Sequence, residues 1–205
     1  DVVIIMHKEG DALLIQQPVY YPFREVIEDN GRIFVNNQLH YEDGKYTIDF
    51  EDFEKKIVDN NVKVFILCNP HNPVGRVWTK EELEKMGDIC LKHNVVIMDD
   101  EIHCDFTYPG FKFTSFMTLD EKYHNSLVLY TSPSKTFNVA GLQPANIIIK
   151  NPELRAAYRK ANAAAGYSQV SIMGQVAVKS VYTKGDEWVN AVSYTHLRAH
   201  ETELH

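Results

Sequence analysis

Four short runs of apolar residues recur along the chain, and each is followed by polar or turn-forming residues. The runs are Ala12–Ile15, Val62–Cys68, Val95–Met98 and Leu127–Tyr130. Continuous apolar runs of this length are typical of strands buried on both faces of a parallel sheet. Helix-like segments alternate with them, as in a doubly wound fold. We therefore predict a three-layer α/β fold with a mostly parallel sheet.

Three helical segments have recognisable start signals or apolar stripes. Thr79 to Glu82 forms a capping-box pattern, and Asn151 before Pro152 supplies a cap followed by a proline suited to the first turn. Residues 169–183 have the spacing of a third helix. We expect the stripes of the first and third of these helices to be core: Leu83, Met86, Cys90 and Leu91, and Val170, Met173, Ala177 and Val181.

Each of the four apolar runs is followed by a polar segment whose side chains could bind a ligand or take part in catalysis. Pro18–Phe23 follows the first run, Asn69–Gly75 the second, Asp99–His103 the third and Thr131–Lys135 the fourth. Ligands of open α/β sheets bind outside the carboxyl ends of the strands. The repeated placement therefore predicts a ligand site at that edge of the sheet.

Lys135 is the most informative residue of these segments. A primary amine can form an imine with a cofactor aldehyde, and the hydroxyl groups of nearby serines can bind a phosphate. Taken alone, the segment could equally be a polar turn with a surface lysine. The three upstream motifs favour the chemical interpretation.

In this order, the motifs resemble the large domain of fold-type I pyridoxal-phosphate enzymes, the aspartate-aminotransferase superfamily. The similarity extends over residues 1–190. Residues 100–105 and 131–138 are most similar to the MalY/PatB-type carbon-sulfur lyases, often called cystathionine β-lyases. The resemblance implies a pyridoxal-phosphate-dependent transferase-like large domain with the cofactor pyridoxal 5'-phosphate.

The resemblance also implies roles for individual residues. Lys135 would carry the cofactor and act as the catalytic base, and Asp100 would keep the ring nitrogen protonated, which makes the cofactor an electron sink. Asn72 would donate to the phenolic oxygen, with His103 as a second contact. Asp99 is the competing carboxylate, but neighbours on a strand point to opposite faces.

The remaining cofactor contacts come from aromatic and hydroxyl residues. Tyr20 matches the ring that lies against the cofactor, with Tyr21 as the competing choice. Ser132 and Ser134 match phosphate ligands. Gln143 departs from the family pattern, because many members have an arginine there; the departure removes one positive charge from the phosphate site.

The implied activity is β-elimination from cystathionine or a related amino-acid substrate. An aminotransferase is the first alternative, because both reactions begin with the loss of the α-proton. A regulatory module that binds the cofactor without catalysis is the second. Relatives of this type form homodimers, so we expect a homodimer for the full-length protein.

Composition excludes several other classes of protein. The 205 residues are 44% hydrophobic, which is enough for one substantial core, and the formal charge of −7 disfavours nucleic-acid binding. No apolar run is long enough to span a membrane and no signal-peptide pattern begins the chain, so a cytoplasmic location is expected.

Cysteine and histidine residues add no further site. Three scattered cysteines suit reduced thiols, with Cys68 and Cys90 in the core. A Cys104–His103 nucleophile is disfavoured because adjacent strand residues diverge. The C-terminal histidines fit no recognised metal-ligand spacing, so no metal is predicted. They are His196, His200 and His205.

Both ends of the chain look incomplete by comparison with the family pattern. Residues 1–6 are expected to lie inside a helix, without the preceding phosphate-binding turn, and the small C-terminal domain is missing. Residues 1–190 are therefore interpreted as a truncated cofactor-binding large domain. Residues 191–205 lose the family pattern and are interpreted as an atypical, foreign tail.

Overall fold

A mostly parallel sheet forms the centre of the molecule. The computed structural model describes residues 8–108, 110–167 and 169–193. The strands are β1 (Ala12–Ile15), β2 (Ile33–Asn36), β3 (His40–Glu42), β4 (Lys45–Thr47), β5 (Val64–Cys68), β6 (Val96–Asp100), β7 (Leu127–Thr131) and β8 (Asn146–Ile148). The main sheet has the order β2-β1-β5-β6-β7-β8, and β3 pairs separately with β4. In the main sheet only β8 runs antiparallel to its neighbour.

Helices connect the strands. They are α1 (Pro22–Asp29), α2 (Phe50–Asp59), α3 (Lys80–Lys92), α4 (Pro152–Ala164) and α5 (Ile172–Lys184), with 3₁₀ turns at Phe116–Thr118, Glu121–Ser126 and Ala140–Leu142. The predicted start signals are confirmed. Thr79 and Glu82 form a reciprocal capping box on α3, and the Asn151 side chain accepts from two backbone amides at the start of α4.

Alternation along the strands divides the core into two layers of side chains. One cluster lies under α1 and includes Leu13, Ile15, Ile27, Val64, Ile66, Cys68 and Met98. The other lies under α2 and α3 and includes Leu14, Phe53, Phe65, Leu67, Leu83, Met86, Cys90 and Ile97. Each fully buried large aliphatic or aromatic side chain contributes roughly 1.5–3 kcal/mol to folding. The three-layer α/β prediction and the core role of the α3 stripe are confirmed.

The prediction that the apolar stripe of α5 is core was wrong. The helix begins at Ile172 rather than at 169, and Met173 and Val170 are 70% and 40% exposed. Ala177 and Val181 are half-buried. A helical period identifies a face that can be buried, but only a packed neighbour makes that face core.

Two further expectations concern the ends of the chain and membranes. The helix expected at residues 1–6 and most of the atypical tail, from residue 194 onward with its three histidines, lie outside the described residues. Residues 191–193 continue a helical segment that begins at 186. In the part of the chain that the structure describes, no helix combines the length and apolarity that crossing a bilayer requires.

Candidate active site

The predicted motif segments meet at the carboxyl edge of the sheet. Cys68, Asp100 and Tyr130 are register partners on the adjacent strands β5, β6 and β7. Because parallel strands in register end together, the loops that follow them share one edge. Residues far apart in sequence are thereby brought to one region.

A cavity of about 380 Å³ lies at this edge on the α1 side of the sheet. We call it the Asp100 cavity. Its polar lining comes from Asp100, Thr131 and Ser132. Its apolar lining includes Phe23, Ile66, Met98, Ile102 and Tyr130. A carboxyl and two hydroxyls in a mostly apolar cavity are typical of a small-molecule site.

Asp100 is largely buried in this cavity. The Ile102 backbone N–H donates to its Oδ1 at 3.1 Å, and its second oxygen accepts no hydrogen bond from the described residues. Burial raises the pKa of the Asp100 carboxyl, while the Ile102 amide and the Lys135 ammonium oppose the rise. The carboxylate is thus only partly compensated, and a cationic group in the cavity would stabilise it.

Asp99 faces the opposite side of the sheet, as the alternation argument predicted. Its carboxyl is fully buried, and neither oxygen has a partner at hydrogen-bonding geometry in the described chain. Burial raises the pKa of Asp99 well above its usual value, and the nearby Glu101 carboxyl adds to the rise. Asp99 therefore lies outside the Asp100 cavity, and its burial favours the protonated form of the carboxyl.

Lys135 lies in a turn directly after β7. Its ammonium is exposed and lowers the pKa of both Asp100 and His103, so it lies within electrostatic reach of both side chains. The turn is fixed immediately after Lys135, because the Thr136 hydroxyl donates to Asp105 Oδ2 at 2.7 Å. The Phe137 ring then packs against α5 at Tyr182.

Asn72 and His103 line a second cavity of about 420 Å³, which we call the Asn72 cavity. Pro70, Pro73, Val77, Phe106, Tyr108 and Phe111 supply most of its apolar wall. Burial, and secondarily the Lys135 charge, lower the pKa of His103. His103 is therefore a neutral imidazole at neutral pH, able to donate one hydrogen bond.

Tyr20 and Tyr21 are both outside the two cavities. The Tyr20 ring lies 5.7 Å from the Phe23 ring in an edge-on arrangement, and Phe23 lines the Asp100 cavity. Tyr20 is 42% exposed and Tyr21 is 71% exposed. Only the Phe23 ring separates Tyr20 from the Asp100 cavity, which is consistent with the preference for Tyr20 over Tyr21. The stacking of Tyr20 on the cofactor stays a prediction.

The two serines differ in position. Ser132 lines the Asp100 cavity, where its hydroxyl donates to the Pro144 carbonyl at 2.5 Å and accepts from the Ser134 amide at 3.0 Å. Ser134 is buried and is not part of either cavity wall. Gln143 is exposed in a left-handed conformation, with φ of 51°. Both serine roles at the phosphate stay predictions.

Of the residues that line the Asp100 cavity, sequence reasoning assigned only Asp100 and Ser132 to the site; Ile102, Tyr130 and Thr131 are among those it missed. The Tyr130 hydroxyl is buried and has no hydrogen-bond partner among the described residues. Burial raises its pKa, so it is a neutral phenol and a potential donor. Its register with Asp100 was the available signal, because register partners on adjacent strands point to the same face.

The cysteines behave as expected from the sequence. Cys68 and Cys90 are buried. Burial, reinforced by the Asp105 carboxylate, raises the pKa of Cys104 to about 12, which leaves this residue a protonated thiol and a poor nucleophile. The described ranges contain no cluster of three or more histidine, cysteine or acidic side chains arranged to hold a metal.

The fold and the site together define the class: the fold is that of the large domain of fold-type I pyridoxal-phosphate proteins, with lysine, carboxyl and amide groups at the carboxyl edge of its sheet. The model of the family "Aminotransferase class I and II" matches residues 2–202. The chain belongs to this family.

Known proteins similar to the chain include carbon-sulfur lyases. Cystathionine β-lyase PatB of Bacillus subtilis (strain 168) is 42% identical over 195 residues, which are 95% of this chain and 50% of that protein. Protein MalY of Escherichia coli (strain K12) is 33% identical over 187 residues, covering 89% of this chain and 46% of that protein.

A solved structure has the same fold. Cystalysin from Treponema denticola, whose crystal structure contains a pyridoxal 5'-phosphate cofactor, aligns with a TM-score of 0.91 and 40% identity. The alignment covers 94% of this chain and 49% of cystalysin. The chain spans about half the length of the curated relatives it matches.

Proposed function

We propose that the full-length protein is a pyridoxal-phosphate-dependent carbon-sulfur β-lyase. It cleaves cystathionine or a related cysteine S-conjugate to a thiol, pyruvate and ammonia. The observation that carries the proposal is the half-buried Asp100 carboxyl in the wall of a ligand-sized cavity, with the Lys135 ammonium within electrostatic reach. The similarity to PatB supports the lyase over other members of the family.

The residues present fit the cofactor. The Asp100 cavity, at about 380 Å³, is within the range of small-molecule sites. Among the described residues, no hydrogen bond reaches the second oxygen of the half-buried Asp100 carboxyl, so a protonated ring nitrogen would add a partner to the Lys135 charge. The Thr131 hydroxyl accepts from Asn146 Nδ2 at 3.3 Å and keeps its hydrogen available for a phosphorylated ligand, whereas the single hydroxyl hydrogen of Ser132 is engaged by the Pro144 carbonyl.

Each residue then has a specific task. Lys135 would hold the cofactor through its Nζ amine, and Asp100 would keep the ring nitrogen protonated. Asn72 donates its amide to the phenolic oxygen, with His103 as a second neutral donor. By the resemblance, Tyr20 would lie against the ring face, and Ser132 and Ser134 would bind the phosphate. Tyr20 and Ser134 line neither cavity, and Ser132 would have to turn its hydroxyl away from the Pro144 carbonyl. The bound cofactor supplies an electron sink for the carbanion of the substrate.

The elimination breaks two bonds of the substrate, Cα–H and Cβ–S, once the substrate amine has taken the place of Lys135 Nζ. Lys135 Nζ accepts the α-proton of the substrate as a general base. The Cβ–S bond then breaks, its electron pair leaves on sulfur, and the resulting thiolate is protonated to a thiol. Hydrolysis of the three-carbon remainder gives pyruvate and ammonia.

An aminotransferase is the alternative favoured by the family itself. Both reactions require Lys135 to remove the α-proton, and they differ only afterwards. The full-length protein incubated with cystathionine, with and without a 2-oxo acid, separates them. We expect pyruvate release that does not depend on the oxo acid. Amino transfer to the oxo acid without pyruvate would contradict the lyase proposal.

The Lys135→Ala variant tests the proposed catalytic residue. We expect loss of the visible absorption of the lysine-bound cofactor and a fall in kcat of about a thousandfold, within the range for loss of a general base. Lys160→Ala, which removes an exposed lysine of α4, is the matched control and should retain both. Cofactor bound at Lys135 without turnover of any amino acid would indicate the non-catalytic regulatory module instead.

Assembly and location complete the proposal. Residues 1–190 form the cofactor-binding large domain of a cytoplasmic homodimer. The exposed apolar side chains of α5 support association, because Ile172, Met173 and Val176 are 78%, 70% and 57% exposed. Sedimentation of the full-length protein checks the expected dimer.

A further inference from the structure

Two loops carry the ring contacts of the proposed site, and His71 lies between them. Tyr20 belongs to the loop after β1, and Asn72 belongs to the loop after β5. His71 directly precedes Asn72, and its Nε2 lies 3.0 Å from the carbonyl oxygen of Pro18, two residues before Tyr20. Because a carbonyl only accepts hydrogen bonds, Nε2 carries the proton and donates it.

The His71 side chain is well fixed. Its side chain is almost fully buried, and the Trp78 ring packs edge-on against it with centroids 5.3 Å apart. Its backbone N–H donates to the Arg76 carbonyl at 2.7 Å, and its carbonyl accepts from Gly75 at 2.9 Å. His71 is therefore fixed by contacts of its ring and by hydrogen bonds of its backbone.

The His71 ring is neutral over a wide pH range, so its hydrogen bond to Pro18 does not change with pH there. Burial lowers its pKa to about 4, against the opposing effect of the backbone carbonyls of Pro18, Gln16 and Cys68. The ring is neutral from about pH 5 upward, so its Nε2–H bond persists through the working range of a cytoplasmic enzyme.

The Asn72 loop is stabilised by hydrogen bonds within itself, and the His71 side chain connects it to the Tyr20 loop. The Cys68 thiol donates to the Pro70 carbonyl at 3.3 Å, and the Asn72 backbone N–H donates to Cys68 Sγ at 3.4 Å. These bonds shape the loop on β5 but do not reach the segment with Tyr20. The bond from His71 to Pro18 joins the two.

We propose that His71 is a positioning residue that couples the Tyr20 loop to the Asn72 loop, so that the cofactor ring meets its stacking face and its amide donor in one fixed geometry. This inference rests on the proposed function. His71 also lines the Asn72 cavity, and its proposed role is to position Tyr20 and Asn72 rather than to take part in the reaction.

Four variants of the full-length protein test the coupling. His71→Leu removes the donor, and His71→Gln keeps an Nε2 donor at similar reach. His124 is the matched control, because it is also buried and its Nε2 lies 3.1 Å from the Met117 carbonyl, before β7 and outside both cavities. His124→Leu and His124→Gln therefore remove or keep a comparable Nε2 bond at a distant position; His124→Leu also removes the bond that His124 Nδ1 accepts from Lys150 Nζ at 2.9 Å.

We expect His71→Leu to weaken pyridoxal-phosphate binding by about tenfold, the effect of losing one buried hydrogen bond that orders the site. The visible circular dichroism of the bound cofactor should also decrease. The pH midpoint of its visible absorption band should rise, because a displaced Asn72 no longer stabilises the phenolate. His71→Gln and both His124 variants should bind the cofactor within about twofold of the wild type.

Two results would overturn the coupling role. One is unchanged affinity and dichroism in His71→Leu; the other is an equal loss of affinity in His124→Leu, which would indicate a global loss of stability. If His71→Leu does not fold, His71→Asn replaces it, because its shorter side chain cannot reach Pro18; equal affinities of the Asn and Gln variants would then contradict the proposal. A wild-type protein that binds no cofactor refutes the proposed function instead.

Discussion

Asp99 and Asp100 have the same side chain and opposite surroundings. Asp100 lines the cavity beside the Lys135 charge, whereas Asp99 is fully buried under the helices of the other face. Strand alternation separates them, because successive side chains point to opposite faces. A one-residue difference in position therefore decides which carboxyl can meet a ligand.

The pair provides a test at the scale of one residue. Asp100→Asn should lower kcat/KM for pyruvate release by about a hundredfold or more, because a neutral amide no longer holds the ring nitrogen protonated. Asp99→Asn is the adjacent control and should retain the rate of the wild type. Steady-state assays of both variants with cystathionine check this. An equal loss in the two variants would refute the assignment of Asp100 over Asp99.

At the scale of elements, the residues that begin helices α3 and α4 were predictable from the sequence, whereas the packing of α5 was not. The α3 capping box and the Asn151 cap are local, because cap and amide lie within three residues of each other. The α5 stripe needed a partner layer that no local signal specifies, and its side chains are exposed or only half-buried. Local hydrogen bonding is therefore the better predicted property of these helices.

The turn that carries Lys135 depends on a contact between two elements. Thr136→Val should lower the free energy of unfolding by about 1–2 kcal/mol, because it removes the hydroxyl that donates to Asp105. It should also lower kcat several-fold more than it changes KM, since Lys135 is displaced. Thr136→Ser keeps the hydroxyl and should restore kcat. Chemical denaturation and steady-state kinetics measure both effects, and a serine variant as impaired as the valine variant would contradict this role.

At the scale of the whole molecule, buried acids make the fold sensitive to pH. The pKa of Asp99 is raised well above its usual value, first by burial and then by Glu101. The folded state therefore binds this proton more tightly than the unfolded state. The stability it contributes is fully present below about pH 4, the unfolded aspartate pKa, and declines as pH rises toward the folded pKa.

Asp99→Asn should remove this part of the pH dependence. At pH 8 we expect the variant to have a higher free energy of unfolding than the wild type, because the amide has no proton to lose. The difference should vanish near pH 4. Asp29→Asn, at an exposed position at the end of α1, is the control. Denaturation curves across this pH range measure the slopes, and parallel slopes for wild type and Asp99→Asn would contradict the linkage.

The sequence by itself determined the α/β class, the capping of α3 and α4 and the order of chemical motifs along the chain. These features depend on the local periodicity of apolar residues and on motifs of a few residues, which the sequence alone shows. Tertiary structure decided which side chains line the same cavity: Tyr130 lines the Asp100 cavity with Asp100, and Ser132 lines it without Ser134. It also decided that His71 contacts the loop of Tyr20. Those relations depend on strand register and loop packing between distant segments, which no single segment encodes.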